Sequence, residues 1–119
     1  MPYDICERSF QFAKNVVLFI NSVPYRSHIS IVDQLLRSAT SIGANIIEGR
    51  SGNSRKNLVN FYSIALRSAN ETYYWLRLLS VTSSNNEKTL ELLTTECKEI
   101  SKILAKSIIT LKNNDRKIK

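Results

Sequence analysis

Apolar side chains recur at three- and four-residue intervals through most of this chain, in four runs separated by Pro, Gly and Ser, and no segment alternates with a period of two. A period near 3.6 places such side chains on one face of a helix, and four such faces escape water by packing on one another. The first run, Phe12, Val16, Phe19 and Val23, follows Asp4 and Glu7 in capping-box spacing and is stopped by Pro24, which pushes the residue before it out of helical geometry. The second, Ile31, Leu35, Ala39, Ile42 and Ile46, opens on Ser27, or on Ser30 with Asp33 three residues on, and ends at Gly49 and Gly52. Ser54 caps the third and longest, Leu58, Phe61, Tyr62, Ala65, Ala69, Thr72, Leu76 and Leu79. Ser84 and Glu87 open the fourth, Leu90, Leu93, Cys97, Ile100, Leu104, Ile108 and Leu111, whose spacing near 3.5 suits packing at small crossing angles. Short connections between helices of similar length predict an all-α, up-down-up-down antiparallel four-helix bundle over residues 1–112, followed by a fraying basic C-terminal tail, 113–119. Ala39, Ile42, Ile46, Ala65, Leu76, Leu93, Ile100 and Leu104 are expected in its core.

The chemistry of catalysis is missing from the residues. His28 is the only histidine and falls in the predicted turn between the first two helices, the Glu-x-x-His of carboxylate di-iron bundles does not occur, and the three glycines form neither a P-loop nor a dinucleotide fingerprint. Cys6 and Cys97, near opposite ends, have neither the count nor the spacing of a disulfide framework or zinc site, and are read as reduced, small apolar side chains. No enzyme, no catalytic residue, no metal and no cofactor are expected. Val16 to Ile20 is the longest aliphatic and aromatic run, well short of the ~20 residues that cross a bilayer, and the first residues lack a basic segment followed by an apolar one. The expectation is a cytoplasmic protein with no membrane partner.

What the residues do offer is charge. Seventeen Lys and Arg against ten Asp and Glu give +7 over 119 residues, a balance that favours polyanionic partners. Arg50, Arg55 and Lys56 stand among Gly and Ser in the loop between the second and third helices, with Arg37 on the approach to it. Such side chains neutralise phosphates without reading bases. Lys98, Lys102 and Lys106 form a second basic stripe, diluted by Glu91, Glu96 and Glu99.

Two segments break the plain bundle pattern. Gln34, Ser38, Ser41 and Asn45, closed by Glu48, run beside the apolar stripe of the second helix as small, uncharged polar residues. Either a neighbouring helix approaches closely there, with Asn45 and Gln34 bonding across the contact, or the stripe is a polar groove for a ligand. Gly43 favours close approach, because a mid-helix glycine costs roughly 1 kcal/mol relative to Ala. In the third helix Tyr73, Tyr74 and Trp75 are consecutive, radiate around the helix, and cannot all face one core. Gln34, Ser38, Ser41, Asn45, Tyr74 and Trp75 are therefore the expected oligomer interface, since Trp and Tyr are common anchors between subunits. Arg67, four residues before Glu71, is expected to pair with it.

The phrases Gln34-Leu-Leu-Arg-Ser-Ala-Thr-Ser-Ile-Gly-Ala-Asn-Ile-Ile-Glu-Gly49 and Phe61-Tyr-Ser-Ile-Ala-Leu-Arg-Ser-Ala-Asn-Glu-Thr-Tyr-Tyr-Trp-Leu76, with Arg8-Ser-Phe-Gln-Phe-Ala-Lys14 before them, carry a family resemblance. Over about residues 4 to 112 the chain resembles the four-helix bundle proteins encoded in 23S rRNA intervening sequences. It is distantly similar to the accessory variability determinant of diversity-generating retroelements. The resemblance implies a ring-like homopentamer, and the distant relative adds binding to nucleic acid and to a reverse transcriptase. Two functions are thus expected in competition. One is a non-catalytic oligomeric scaffold holding RNA or DNA by its phosphates without base specificity, the other a protein interaction adaptor whose basic charge is incidental.

Overall fold

A computed structural model of the chain describes residues 4–22, 28–82 and 86–118, and all its regular elements among them are α-helices. They are α1 (Ile5–Ser22), α2 (Ile29–Ser51), α3 (Arg55–Ser80) and α4 (Glu87–Ile118). Each packs on its neighbours in the cycle α1, α2, α3, α4 and back to α1, while the backbones of the diagonal pairs stay apart among the described residues. That is the four-helix bundle with up-down-up-down connections, 53 × 22 × 20 Å.

The helices are less alike in length than expected, with 18, 23, 26 and 32 residues in chain order. Much of the excess belongs to α4, which continues through the predicted tail to Ile118.

Local chemistry sets the described starts. Asp4 begins α1 by accepting the Cys6 N–H on Oδ1 at 2.5 Å, while Glu7 takes Gln11 as its partner at 2.8 Å instead of closing a capping box. Ser54 Oγ accepts the Asn57 N–H at 3.0 Å and so starts α3 at Arg55. At α2 the cap position is His28, whose side chain makes no cap bond, and Ser30 already lies inside the helix. Ser27, Pro24 and Ser84 fall outside the described residues.

The apolar stripes meet on the bundle axis. All eight expected core residues are buried, together with Phe12, Val16, Leu35, Leu79, Leu90 and Cys97. Two glycines set how close the helices come. A Cβ on Gly49 would lie 2.9 Å from Phe61 Cβ and 3.3 Å from Leu58 Cδ1 of α3, and one on Gly43 would lie 3.2 Å from Ser9 Oγ of α1. Arg8 closes the cycle by gripping Glu96 of α4 with two bonds, at 2.7 and 2.9 Å, which raises the Arg8 pKa.

Candidate nucleic-acid interface

The cations grouped by sequence around the α2–α3 loop are divided by the fold. Arg50, in the last turn of α2, is exposed yet engaged: Nε donates to Tyr62 Oη at 3.0 Å and Nη1 to Asp4 Oδ2 at 2.8 Å. Its hydrogen bond, reinforced by the Cys6 N–H, holds the Asp4 carboxyl below the usual aspartate range, and Asp4 in return raises the Arg50 pKa. Arg50 is thereby a clamp between the start of α1, α2 and α3, and its charge is already paired with Asp4. Arg37 lies roughly 20 Å from Arg50 along the α2 axis at 1.5 Å per residue. Its Nε donates to Asp33 at 3.1 Å, so it does not join the loop cluster.

Arg55 and Lys56 remain at the loop. Both stand in the first turn of α3, at the positive pole of its dipole, and neither has a carboxylate within ion-pair range among the described residues. Arg55 is half-buried with Nη1 lacking any acceptor, whereas Lys56 is exposed.

From Lys56 the basic surface runs along α3. Lys56, Asn60, Arg67, Asn70, Tyr74 and Arg77 are all exposed, and their spacings of three, four and seven put them on one helical face. That face is roughly 32 Å long. α3 carries Arg55, Lys56, Arg67 and Arg77 against the single acid Glu71. The expected Arg67–Glu71 pair does not form, because Glu71 Oε2 instead accepts the Trp75 indole N–H at 3.2 Å.

At the far end of this face the half-buried ring of Tyr73 has two cations over it. The Arg77 guanidinium carbon lies 5.8 Å and Lys98 Nζ of α4 5.7 Å from the ring centre. The π-face attracts both, and so keeps two like charges together with no carboxylate in ion-pair range among the described residues. Sequence reasoning singled out Tyr73 and Lys98 separately but not the triad they form with Arg77. The i, i+4 spacing of Tyr73 and Arg77 was the available signal, and only the register of α4 on α3 brings in Lys98. Lys102 of the same stripe leans to Glu99 at 3.5 Å.

The polar stripe of α2 lies largely inside the chain, at the α2–α3 contact. Thr72 Oγ1 of α3 donates to Ser38 Oγ at 2.9 Å and lies 2.7 Å from the Ser68 carbonyl, so its one proton is shared between them. Ser41 and Ser68 share a hydrogen bond at 3.0 Å, and Asn45 Nδ2 donates back to Ser41 O at 2.8 Å and Oγ at 2.9 Å. Ser38 is buried, and its hydroxyl already has partners within the subunit. As a contact between subunits it is therefore corrected to a contact between helices, and Ser41 and Asn45 are half-buried beside it. The close-approach reading had Asn45 and Gln34 bonding across the contact, but Asn45 bonds back within α2, and Gln34 is exposed with no bond across it among the described residues. Trp75 is half-buried and Tyr74 exposed.

Exposed apolar surface collects elsewhere. Phe10, Val17 and Leu18 of α1 and Ile47 of α2 flank a groove of about 570 Å³ floored by Ala13, Gly43 and Ala44. Sequence reasoning missed this face, although Phe10, Leu18 and Ile47 were large apolar residues off every core stripe.

No group of three His, Cys, Asp or Glu able to hold a metal ion occurs among the described residues. None of the described helices is long and apolar enough to cross a membrane. Cys97 donates to the Ala69 carbonyl at 3.2 Å, and burial, with Glu96 nearby, pushes its thiol up to about 12, far from a reactive thiolate.

Comparison with known proteins places this arrangement. No curated protein matches the chain. A crystal structure of a protein of unknown function from the S23 ribosomal protein family of Bacteroides thetaiotaomicron VPI-5482 superposes with a TM-score of 0.80 at 38% identity. The match covers 88% of this chain and 98% of that one. Residues 2–106 match the family described as 23S rRNA-intervening sequence protein, and with the bundle and its motifs in agreement, the chain belongs to that family.

Proposed function

We propose that this protein is a non-catalytic, self-associating scaffold that holds nucleic acid by its phosphates without reading base sequence. The observation that carries the reading is the solvent face of α3, where Lys56, Arg67 and Arg77, joined by Lys98 across Tyr73, are free of ion pairs among the described residues. Unneutralised cations strung along one face release counterions when phosphates replace water around them. Asn60 and Asn70 between them supply hydrogen-bonding groups of the kind that contact phosphate and sugar. Compared with the sequence-based set, Arg55 and Lys56 stay in the interface with no competing carboxylate among the described residues, while Arg37 and Arg50 are each already paired at the surface, with Asp33 and Asp4.

The apolar α1/α2 face supports association with further copies, because contiguous exposed apolar surface of this kind marks interaction sites. A ring of five, as the resemblance implies, would repeat the α3 face around one axis and strengthen binding by multivalency. The same groove is what favours the adaptor reading, with a protein such as a reverse transcriptase as its occupant.

The test is fluorescence anisotropy with labelled oligonucleotides across a salt series. Log affinity is expected to fall with log salt by about 0.9 per neutralised phosphate on duplex DNA and about 0.7 on single strands. Arg67→Glu with Arg77→Glu and Lys98→Glu should lower both affinity and slope, while Arg37→Glu changes neither appreciably. Equal binding by the triple variant and the parent at low salt would move the site off α3, and no binding by either would leave the adaptor reading.

A further inference from the structure

Phosphate binding makes no use of Tyr74, although Tyr74 lies at the centre of the cationic face. Arg67 stands seven residues before it, Asn70 four before and Arg77 three after, so all border it on the helix surface. Its side chain is 55% exposed, which removes packing as its reason for being aromatic. One contact positions the ring. Trp75 meets it edge-to-face, with centroids 5.0 Å apart and planes at 76°, and Trp75 is itself held by its indole hydrogen bond to Glu71. Tyr73 cannot take the same part, since Arg77 and Lys98 already lie over its ring.

An exposed aromatic ring, fixed in direction and bordered by unpaired guanidinium groups, matches what an unpaired base requires: a π-face to stack on and cations for the phosphates on either side. In a duplex the base faces are covered by the neighbouring pairs. Building on the phosphate-binding reading above, we propose that the α3 face takes single-stranded nucleic acid, with one base stacked on Tyr74 and the adjoining phosphates on Arg67 and Arg77. Asn70, four residues before Tyr74 and exposed, is placed to contact sugar or phosphate, while stacking on a phenol ring and ion pairing to phosphate do not distinguish one base from another strongly. The face therefore selects strandedness rather than sequence.

The experiment compares labelled single-stranded and duplex DNA of equal length, at low salt, against the parent, Tyr74→Ala, Tyr74→Phe and the pair Arg67→Ser with Arg77→Ser. The parent should bind the single strand more tightly than the duplex. Tyr74→Ala should lose roughly 5- to 150-fold on the single strand, the span measured for removing one stacked base, with little change on the duplex. Tyr74→Phe keeps the π-face and should keep the binding, whereas the arginine pair should weaken both substrates. Trp75 fluorescence should change on binding single strand in the parent and not in Tyr74→Ala, and circular dichroism should show every variant equally helical. Equal losses on both substrates for Tyr74→Ala, or none, would overturn the stacking inference and leave phosphate binding standing. A parent that binds neither substrate at low salt would remove both. A drop in assembled mass for Tyr74→Ala by light scattering, with single-strand binding by the remaining protein unchanged, would assign Tyr74 to a protein contact and overturn the inference as well.

Discussion

Gly43 in the middle of α2 and Gly49 in its last turn should answer the same substitution differently. Alanine gains about 1 kcal/mol over glycine from helix propensity alone. At Gly49 the new methyl would meet Phe61 Cβ at 2.9 Å and Leu58 Cδ1 at 3.3 Å, so α3 must move away. Overpacking of that kind costs ~1–3 kcal/mol, and Gly49→Ala is expected to lower the urea midpoint. At Gly43 the nearest atom is Ser9 Oγ at 3.2 Å, and a shift of a few tenths of an ångström relieves it. Gly43→Ala should therefore lie within about 1 kcal/mol of the parent, the propensity gain offsetting the contact. Asp4 gives the second prediction at this scale. Its carboxyl is held low by Arg50, so the folded state favours the ionised form, and the stabilisation is present above the unfolded pKa of ~3.9 and lost as pH falls through the lowered folded value. Asp4→Asn should lower the melting temperature at neutral pH, and the gap from the parent should narrow and close at acid pH, once the carboxyl is protonated in the folded state as well. A gap that persists there would assign the loss to the α1 cap rather than to the charge.

Between elements, the α2–α3 seam combines an apolar half and a hydroxyl half. On the apolar side Leu76 is fully buried and central to the core, and Leu76→Ala is expected to cost about 2–5 kcal/mol in chemical denaturation, since the cavity is walled by residues that cannot all collapse. On the hydroxyl side Thr72, Ser38, Ser41 and Ser68 hydrogen-bond in a row, which lets two helices approach at small residues without leaving polar groups unsatisfied. The helical pattern of both segments was legible from the chain, because the stripe Ala39, Ile42, Ile46 and the stripe Ala65, Ala69, Leu76 each keep helical spacing. Which partner the polar stripe would meet was not. Hydroxyls beside a core stripe serve a contact within a chain and a contact between chains equally well, and only the pairing of α2 with α3 settles that Ser38 faces Thr72.

For the molecule as a whole, the cationic face proposed for polyanions and the α1/α2 apolar groove lie on different helices. α3 and Lys98 carry the cationic face, while Phe10, Val17, Leu18 and Ile47 form the apolar one on α1 and α2. In the proposed scaffold this separation would leave the α3 face open to a polyanion while the α1/α2 face assembles copies. Light scattering at micromolar concentration is expected to give a multiple of 13.6 kDa, five-fold in the proposed ring. Phe10→Glu, at a residue 60% exposed, should reduce the mass toward one chain without loss of helicity. A parent mass of one chain would defeat self-association.

The sequence by itself determined the four helices, their order and nearly every core residue, because helical periodicity is written in local spacing and burial follows from it. The loop cations were equally visible, and their fate was not. Arg50 reads like Arg55 and Lys56 in the sequence, yet Asp4 from the far end of α1 and Tyr62 from α3 converge on it, and no local pattern encodes that meeting. The same holds for Lys98 over Tyr73, which depends on the sliding register of two antiparallel helices. Periodicity fixes which face of a helix turns inward, and side chains distant in sequence become neighbours only when those faces lock together. Tertiary structure therefore decided which charges are neutralised and which remain for a partner.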